Sequence, residues 1–252
     1  MTVSVFVTGG ASGIGSATAR RIVKDGGHVA IVDLNLEGAQ ALAAELGPRT
    51  VALKADTTSE EQVRGALASA SGQLPPFTGL VNCAAAMPAP TPIESLLPAE
   101  FDRVLHSHVT GTYVPCRVVG SAMAERGAGA IVNLASVLAF RSGPVLAYGA
   151  GKSGVVSLTE ALAVHWAKKG VRVNAVAPGW TETPFISHRR DAFERIRAAM
   201  PIGRLLQPEE IAEVIYFLLS PAASAITGST VPCDGGFLAG SGWGPYGGLP
   251  QI

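Results

Sequence analysis

Net charge is absent from this sequence, since 19 Lys and Arg residues balance 19 Asp and Glu, and charged residues make up only 15% of its 252 positions. Proteins that bind nucleic acid or anionic membranes concentrate positive charge on the binding surface. Because this chain carries no excess of positive charge, we expect neither partner. We expect it to act on a small molecule instead.

Cysteine is also scarce, with three residues, Cys83, Cys116 and Cys233. They form no CxxC pair and no spacing typical of metal ligands, and their odd number argues against a disulfide framework. We therefore expect no metal site and reduced thiols, as in a cytoplasmic protein. Long apolar runs and a basic leader are lacking as well, so the sequence predicts neither a transmembrane helix nor a secretory signal.

What the sequence does contain is a regular alternation of short β-rich runs with helical patterns, repeated about seven times without an internal linker. Such alternation is typical of an α/β, doubly wound Rossmann fold, in which one central parallel sheet of about seven strands has helices on both faces. The length suits one domain over residues 1–252, with residues 240–252 as a tail. In such folds, ligands bind at the carboxyl ends of the strands.

A glycine-rich turn, TGGASGIG at 8–15, follows the first strand and opens a helical pattern. In this context backbone N–H groups and the helix dipole can bind a pyrophosphate. Glycines often serve only to make a turn, but the strand before and the helix after favour a dinucleotide site. The predicted cofactor contacts in this turn are Gly9, Ser12, Gly13, Ile14 and Gly15.

Acidic residues end the next two strands. Asp33, with Leu34 beside it, is placed to accept hydrogen bonds from the adenosine ribose hydroxyls, or else it only caps the following helix. A 2′-phosphate would meet a like charge at Asp33, so we predict NAD rather than NADP as the cofactor. Asp56, followed by Thr57, either binds the adenine amino group or caps the helix that begins near Ser59.

Two further strands end at residues that are candidates to contact the cofactor. The fourth strand ends in Asn82-Cys83-Ala84-Ala85, where small side chains let a ligand lie close to the backbone. The sixth strand ends at Pro178-Gly179, ahead of a Thr-rich segment. The candidates at these two strand ends are Asn82, Ala84, Pro178, Gly179, Thr181 and Thr183.

Tyr148 and Lys152 lie four positions apart in a helical pattern, so they share one face of that helix. A phenol is a poor acid at neutral pH, and a nearby ammonium group favours its ionised form. Tyr148 is therefore a candidate general acid/base for alcohol and ketone chemistry, with Ser136 at the preceding strand end placed to hold the substrate oxygen. Tyr and Lys at this spacing are also common on surface helices, so the pair alone does not establish a catalytic role.

Taken together, these motifs resemble the short-chain dehydrogenase/reductase superfamily in its short, single-domain form. The resemblance covers residues 8–236 and rests on TGGASGIG at 8–15, Ser136, YGAGK at 148–152, PGWTETP at 178–184 and CDGG at 233–236. It implies hydride transfer between a nicotinamide and a secondary alcohol or ketone. It also implies a homotetramer, as in most members.

The resemblance assigns a role to each candidate. Tyr148 would be the catalytic acid/base and Ser136 would orient the substrate oxygen. Lys152 would bind the nicotinamide ribose and lower the pKa of the tyrosine. The backbone at Thr181 and the side chain of Thr183 would hold the carboxamide.

The chain departs from the family pattern in three places. Residues 82–85 read Asn-Cys-Ala-Ala where the family usually has Asn-Asn-Ala-Gly, a small change unless that backbone needs positive φ. His108 replaces an Asn on a long helix, predicted at 99–126, that usually holds a water of the proton relay. Since an imidazole also donates and accepts, His108 is a catalytic candidate, the alternative being a packed helix histidine. The interval from Ser136 to Tyr148 is about one residue short.

The sequence says least about the substrate. We expect a small or medium hydrophobic secondary alcohol or ketone, with a polyol, a sugar or a 3-oxoacyl thioester as the alternative, and a non-catalytic dinucleotide-binding sensor as the alternative of another class. The candidate lining residues are Met87, Leu138, Phe140, Trp180, Phe185 and His188. Candidates to contact an anionic substrate are Arg141, Arg189 and Arg190, and candidates to anchor the tail on a neighbouring subunit are Trp243 and Tyr246.

Overall fold

A computed structural model describes residues 3–86, 88–186 and 192–242. Within these ranges, seven parallel strands form one sheet in the order β3-β2-β1-β4-β5-β6-β7, which confirms the predicted doubly wound architecture. The strands are β1 Ser4–Thr8, β2 His28–Asp33, β3 Thr50–Lys54, β4 Gly79–Asn82, β5 Gly129–Leu134, β6 Val171–Pro178 and β7 Thr230–Cys233. Of the residues named above, Met87, His188, Arg189, Arg190, Trp243 and Tyr246 lie outside the described ranges.

Helices connect the strands and cover both faces of the sheet. They are α1 Gly13–Lys24, α2 Leu36–Leu46, α3 Glu60–Ser71, α4 Pro98–Leu105, α5 Gly111–Pro115, α6 Ser121–Arg126, α7 Leu146–Trp166, α8 Phe193–Ala199, α9 Pro208–Leu219 and α10 Phe237–Gly240. One apolar core lies between the sheet and α1, α2 and α9, and a second lies between the sheet and α3, α5, α6 and α7. A sheet covered on both faces explains why its strands read as continuous apolar runs rather than alternating ones.

Residues 98–126 form one nearly continuous helix, close to the predicted 99–126, in which two π-helical turns separate α4, α5 and α6. The first turn spans His106–Thr110 and the second spans Cys116–Gly120. The second follows Pro115 directly, where the missing N–H donor and the bulk of the ring disturb the regular hydrogen-bond ladder. The first turn carries His108, and π turns of this kind often mark functional sites.

A ladder of buried polar side chains crosses the sheet beneath its carboxyl edge. Asn82 donates through Nδ2 to Asn133 Oδ1 (2.9 Å) and accepts from Thr8 Oγ1 (3.4 Å). Asn133 in turn donates through Nδ2 to Thr159 Oγ1 on α7 (2.9 Å). Buried polar groups are costly unless they are hydrogen-bonded, and here each supports the next. The ladder therefore ties the strand before the glycine turn to the helix that carries Tyr148 and Lys152.

The sheet also explains where a ligand can bind. β1 pairs with β2 on one side and with β4 on the other. The chain therefore leaves β1 and β4 toward opposite faces of the sheet. A crevice forms at such a switch point, outside the carboxyl ends of the strands. Across the described ranges, we find no helix that is both long and apolar enough to span a bilayer.

Candidate active site

A cavity of about 780 Å³ lies along the carboxyl edge of the sheet. It brings together most of the predicted site residues from seven separate segments of the chain, although their roles stay predictions. The predicted residues that line it are Gly9, Ser12, Gly13, Ile14, Gly15, Asp33, Leu34, Asp56, Thr57, Ala84, Ser136, Tyr148, Lys152, Pro178, Gly179, Thr181 and Thr183. Two predicted residues, Asn82 and His108, do not line it.

The glycine turn is packed too closely for a side chain at two of its positions. Gly9 has φ +62°, and a Cβ there would lie 2.6 Å from the backbone N of Ala84. A Cβ on Gly15 would lie 2.1 Å from the carbonyl oxygen of Gly9. The first turn of α1 contains no acidic residue, and its N-cap, Ser12, forms no side-chain capping bond. Backbone N–H groups at the positive end of the helix thus border the cavity, an arrangement that fits a dinucleotide phosphate.

Asp33 is held at the mouth of this turn by two backbone groups. Its Oδ2 accepts from Ala11 N (3.0 Å) and its Oδ1 accepts from Asn35 N (2.9 Å). The cap of α2 is Asn35, whose side chain accepts from Gly38 N. Asp33 therefore does not cap that helix, and its carboxylate borders the cavity where a ribose would lie.

Asp56 is likewise not a helix cap. Ser59 caps α3, accepting from Gln62 N (3.4 Å), and Asp56 Oδ1 accepts from both the N–H and the hydroxyl of Thr58 (2.8 Å each). The carboxylate borders the cavity beside Thr57. The capping alternative is thus excluded by geometry, and contact with the adenine stays a prediction.

Asn82 does not face the cavity. Its side chain points into the sheet interior, where it belongs to the polar ladder, because the neighbouring strands present Thr8 and Asn133 opposite it. The next residue, Cys83, lines the cavity instead. Burial raises the pKa of the Cys83 thiol to about 12, against a smaller opposing effect of Lys152.

Ser136, Tyr148 and Lys152 meet at the end of β5. All three side chains are buried, and the Ser136 hydroxyl is near enough to the phenol of Tyr148 to favour its ionised form. Lys152 donates through Nζ to the carbonyl of Leu134 (2.6 Å), and the same Nζ lies 5.7 Å from the centre of the tyrosine ring. The shortened interval between Ser136 and Tyr148 therefore does not separate the two hydroxyls.

The charge states of this group differ from our expectation. Burial raises the pKa of Tyr148 to about 12, and the nearby Ser136 hydroxyl offsets this only in part. Burial also lowers the pKa of Lys152 to about 8, while Cys83 acts in the opposite direction. We expected Lys152 to lower the pKa of the tyrosine, but the loss of water around the phenol outweighs any effect of an ammonium group that is itself poorly solvated.

His108 lies behind Tyr148 rather than in the cavity. Its ring packs edge-on against the tyrosine ring, with centroids 5.1 Å apart, and only 1% of the residue is exposed. Since Nε2 lies 2.7 Å from the carbonyl oxygen of Ala86, which can only accept, Nε2 carries the proton. The buried Nδ1 has no hydrogen-bond partner among the described residues. His108 thus touches the candidate acid/base but no ligand space.

The substrate end of the cavity is largely apolar. Leu138, Trp180 and Phe185 line it as predicted, and the Phe185 and Tyr148 ring centroids lie 6.1 Å apart. Phe140 does not line it and is 40% exposed. Among the lining residues that the sequence reasoning missed, because local patterns do not single them out, are Arg103, His106, Ser107 and Phe237.

Metal chemistry has no visible site in the described part of the chain. There, no three His, Cys, Asp or Glu side chains lie close enough together to hold an ion.

Comparison with known proteins agrees with this geometry. A family model described as enoyl-(acyl carrier protein) reductase matches residues 9–238. The cis-4-hydroxycyclohexanecarboxylate dehydrogenase of Sinomonas cyclohexanicum is 39% identical over 238 residues, covering 92% of this chain and 95% of that protein. The D-threitol dehydrogenase of Mycolicibacterium smegmatis is 39% identical over 245 residues, covering 92% and 91%.

Two solved structures share the whole fold. One, described as a ribose-5-phosphate isomerase from Brucella melitensis 16M, is 39% identical with a TM-score of 0.94, covering 99% of this chain and 98% of its own. The other, a 3-ketoacyl-(acyl-carrier-protein) reductase from Brucella melitensis complexed with NADH, is 36% identical with a TM-score of 0.87, covering 94% and 98%. With its family match over residues 9–238 and relatives well above 30% identity along nearly their full length, the chain belongs to the short-chain dehydrogenase/reductase superfamily of oxidoreductases.

Proposed function

We propose that the chain oxidises a cyclic secondary alcohol, or reduces the corresponding ketone, with NAD(H) as its cofactor. The observation that carries this proposal is that Ser136, Tyr148 and Lys152 line the same cavity as the glycine turn. An acid/base and a dinucleotide cradle in one cavity are what hydride transfer to or from a carbon–oxygen bond requires.

The roles of the side chains follow from their positions. A bound nicotinamide dinucleotide supplies the hydride donor or acceptor and, in its oxidised form, a positive charge. Ser136 donates a hydrogen bond to the substrate oxygen and so orients it toward the phenol. Tyr148 gives its proton to that oxygen during reduction and takes one from it during oxidation. Lys152, which donates to the Leu134 carbonyl, would bind the nicotinamide ribose.

The protonation state of Tyr148 determines which direction of the reaction is favoured at a given pH. With a pKa of about 12, the phenol is protonated at neutral pH and is ready to donate during ketone reduction. Oxidation needs the phenolate, whose fraction grows with pH. We therefore expect alcohol oxidation to become faster as the pH rises through the alkaline range, while ketone reduction becomes slower.

The preference for NAD rests on Asp33. Its carboxylate borders the cavity and is held by Ala11 N and Asn35 N, so it cannot turn away without losing both bonds. A ribose with free hydroxyls can donate to this carboxylate, whereas a 2′-phosphate would be repelled by it. Arg103 also lines the cavity, but its guanidinium pairs with Glu100 at 3.2 Å.

The preference for a cyclic alcohol rests on the apolar lining. Leu138, Val145, Phe185, Ile186 and Phe237 offer carbon surface rather than hydrogen bonds. A hydrocarbon ring fits such walls, whereas each unpaired hydroxyl of a polyol would lose water without a partner. The name of the cis-4-hydroxycyclohexanecarboxylate dehydrogenase points the same way, while the D-threitol dehydrogenase keeps the polyol alternative open.

His108 is proposed as a positioning residue. Its ring packs against one edge of the tyrosine ring, and its Nε2–H donates to the carbonyl of Ala86. The backbone N–H of Ala86 in turn donates to Ser107 Oγ (3.1 Å). The segment after β4, which also packs against Gly9, is thereby linked to the tyrosine. A direct catalytic role would need contact with the ligand space, which this side chain lacks.

The decisive experiment compares the wild type with Tyr148→Phe on a panel of cyclohexanols, linear polyols and 3-oxoacyl thioesters, each with NAD(H) and NADP(H), at the NADH absorbance. We expect activity with cyclohexanol and NAD, and a loss of at least about 100-fold in Tyr148→Phe with unchanged NADH binding. Full activity in that variant would contradict the assigned role. Cofactor binding without turnover of any substrate would favour the sensor alternative.

One similar structure carries the name of an isomerase, so a second control is needed. Ribose 5-phosphate is incubated with the protein without any cofactor, and ribulose 5-phosphate is measured. Conversion under these conditions would contradict the oxidoreductase proposal, because no hydride carrier is present.

We also propose that the chain works as a homotetramer in the cytoplasm. The resemblance to the family supports the assembly, and the three free thiols suit a reducing compartment. Light scattering after size-exclusion chromatography tests the assembly against the chain mass of 25.8 kDa. A monomeric mass at micromolar concentration would contradict it.

A further inference from the structure

The described residues after β7, 234–242, follow an edge strand of the sheet. Because β7 lies on the far side of the sheet from β3, these residues are nearer to the end of β5, where Ser136 lies, than to the end of β2, where Asp33 lies. Phe237, the first residue of α10, lines the cavity there. Like Trp180 and Phe185, it packs against the apolar core between the sheet and α1, α2 and α9.

The position of Phe237 is set by a tightly bonded turn. Asp234 accepts from Gly236 N through Oδ1 and from Leu238 N through Oδ2, both at 2.9 Å. A Cβ on Gly179 would lie 2.9 Å from the Cα of Asp234, so the turn is seated directly on the end of β6. Little freedom is left to the backbone that carries the Phe237 ring.

A single hydrogen bond joins this turn to the loop between Ser136 and Tyr148. Arg141 donates through Nε to Ser241 Oγ (3.0 Å), and Ser241 donates to the carbonyl of Leu238 (2.8 Å). The loop also lines the cavity, through residues 142–145. Two walls of the substrate end, 100 residues apart in sequence, are thus connected at the surface.

We propose that Phe237 is a specificity-determining residue that limits the size of the ring accepted beside Tyr148, and that the Arg141–Ser241 bond holds this wall in place. The proposal rests on the proposed function, since it names which cyclic alcohols that site takes. Unsubstituted or narrow substrate rings pack against the phenyl face of Phe237, whereas a bulky substituent on the substrate clashes with it.

The test compares cyclohexanol with 4-tert-butylcyclohexanol in the wild type, Phe237→Ala and the milder Phe237→Leu. We expect Phe237→Ala to raise KM for cyclohexanol about tenfold and to raise the ratio of kcat/KM for the bulky over the small alcohol at least tenfold. Phe237→Leu should change both in the same direction by less, and NADH affinity should stay within about twofold. An unchanged ratio, or a loss of NADH binding, would overturn the proposal.

Two matched controls separate the ring from the turn. Leu238→Ala alters the same turn at a residue that does not line the cavity, so the ratio should not move; a change equal to that of Phe237→Ala would overturn the assignment to the phenyl ring. Ser241→Ala should shift the ratio in the direction of Phe237→Ala, and Ser241→Thr, which keeps the hydroxyl, should restore it. Equal behaviour of these two variants would remove the role of the Arg141–Ser241 bond.

Failure of the proposed function would look different. A wild type that turns over no alcohol refutes that function. The size limit set by Phe237 is then tested by ligand binding instead of turnover. The rise in Tm with 4-tert-butylcyclohexanone in the presence of NADH should be larger for Phe237→Ala than for the wild type. Equal rises in Tm for the two proteins would overturn the proposal that Phe237 limits the size of the ligand.

Discussion

The buried imidazole of His108 should make the fold sensitive to acid. Burial, which removes water from around the ring, and the charge of Lys152 favour the neutral form. Together they lower the pKa from 6.5 to about 3, against a smaller opposing effect of the Ala86 carbonyl. The unfolded chain takes up a proton below about pH 6.5, whereas the folded chain does not until about pH 3. The stability from neutral His108 is therefore complete above pH 7 and is lost as the pH falls.

The size of the effect follows from the two pKa values. Linkage between 6.5 and about 3 gives a loss of about 3 kcal/mol of unfolding free energy between pH 7 and pH 4 from this one residue. Other groups titrate over the same range, so the absolute change in the wild type is not informative. The difference between the wild type and His108→Asn is informative, because Asn keeps an N–H donor for the Ala86 carbonyl but does not titrate.

The assay is urea unfolding at pH 7 and pH 4, at one protein concentration. We expect the wild type to lose about 3 kcal/mol more than His108→Asn between the two pH values. His165→Asn is the matched control, because the side chain of His165 is exposed on α7 and stays in water. The same loss in the wild type and in His108→Asn would refute the reasoning, as would an NMR titration showing His108 protonated near pH 6.

Three further predictions follow from the same site. Replacing Asp33 with Ala should lower the NAD-over-NADP ratio of kcat/KM at least tenfold, and an unchanged ratio would show that its charge does not select the cofactor. Gly9→Ala should abolish NADH binding measured by fluorescence, because its Cβ would lie 2.6 Å from Ala84 N at φ +62°; binding within twofold of the wild type would contradict this. Lys152, with its pKa lowered from 10.5 to about 8, should make the wild type gain about 3 kcal/mol of unfolding free energy relative to Lys152→Met between pH 8 and pH 10.5, and parallel pH profiles for the two would argue against a buried, poorly solvated lysine.

The sheet and most of the cavity were predictable because the signals are local. A strand, a glycine turn and a helix in succession place Gly9–Gly15 at a carboxyl edge, and a spacing of four on a helix places Tyr148 above Lys152. The parallel order of the strands then brings these edges together without further information.

Other features depend on contacts between distant segments. Adjacent residues of a strand end point to opposite sides, so whether Asn82 or Cys83 faces the cavity depends on the partners across the sheet, Thr8 and Asn133. The raised pKa of Tyr148 comes from burial, which the spacing to Lys152 does not reveal. Phe237 enters the cavity only because β7 pairs with β6.

The buried ladder of Thr8, Asn82, Asn133 and Thr159 determines how far the effect of a substitution reaches. It holds the strand before the glycine turn and the helix that carries Tyr148 in one frame, so neither can shift without breaking buried hydrogen bonds. A substitution in the middle of the ladder, Asn133→Ala for example, should weaken dinucleotide affinity and slow turnover together, although that side chain contacts neither ligand.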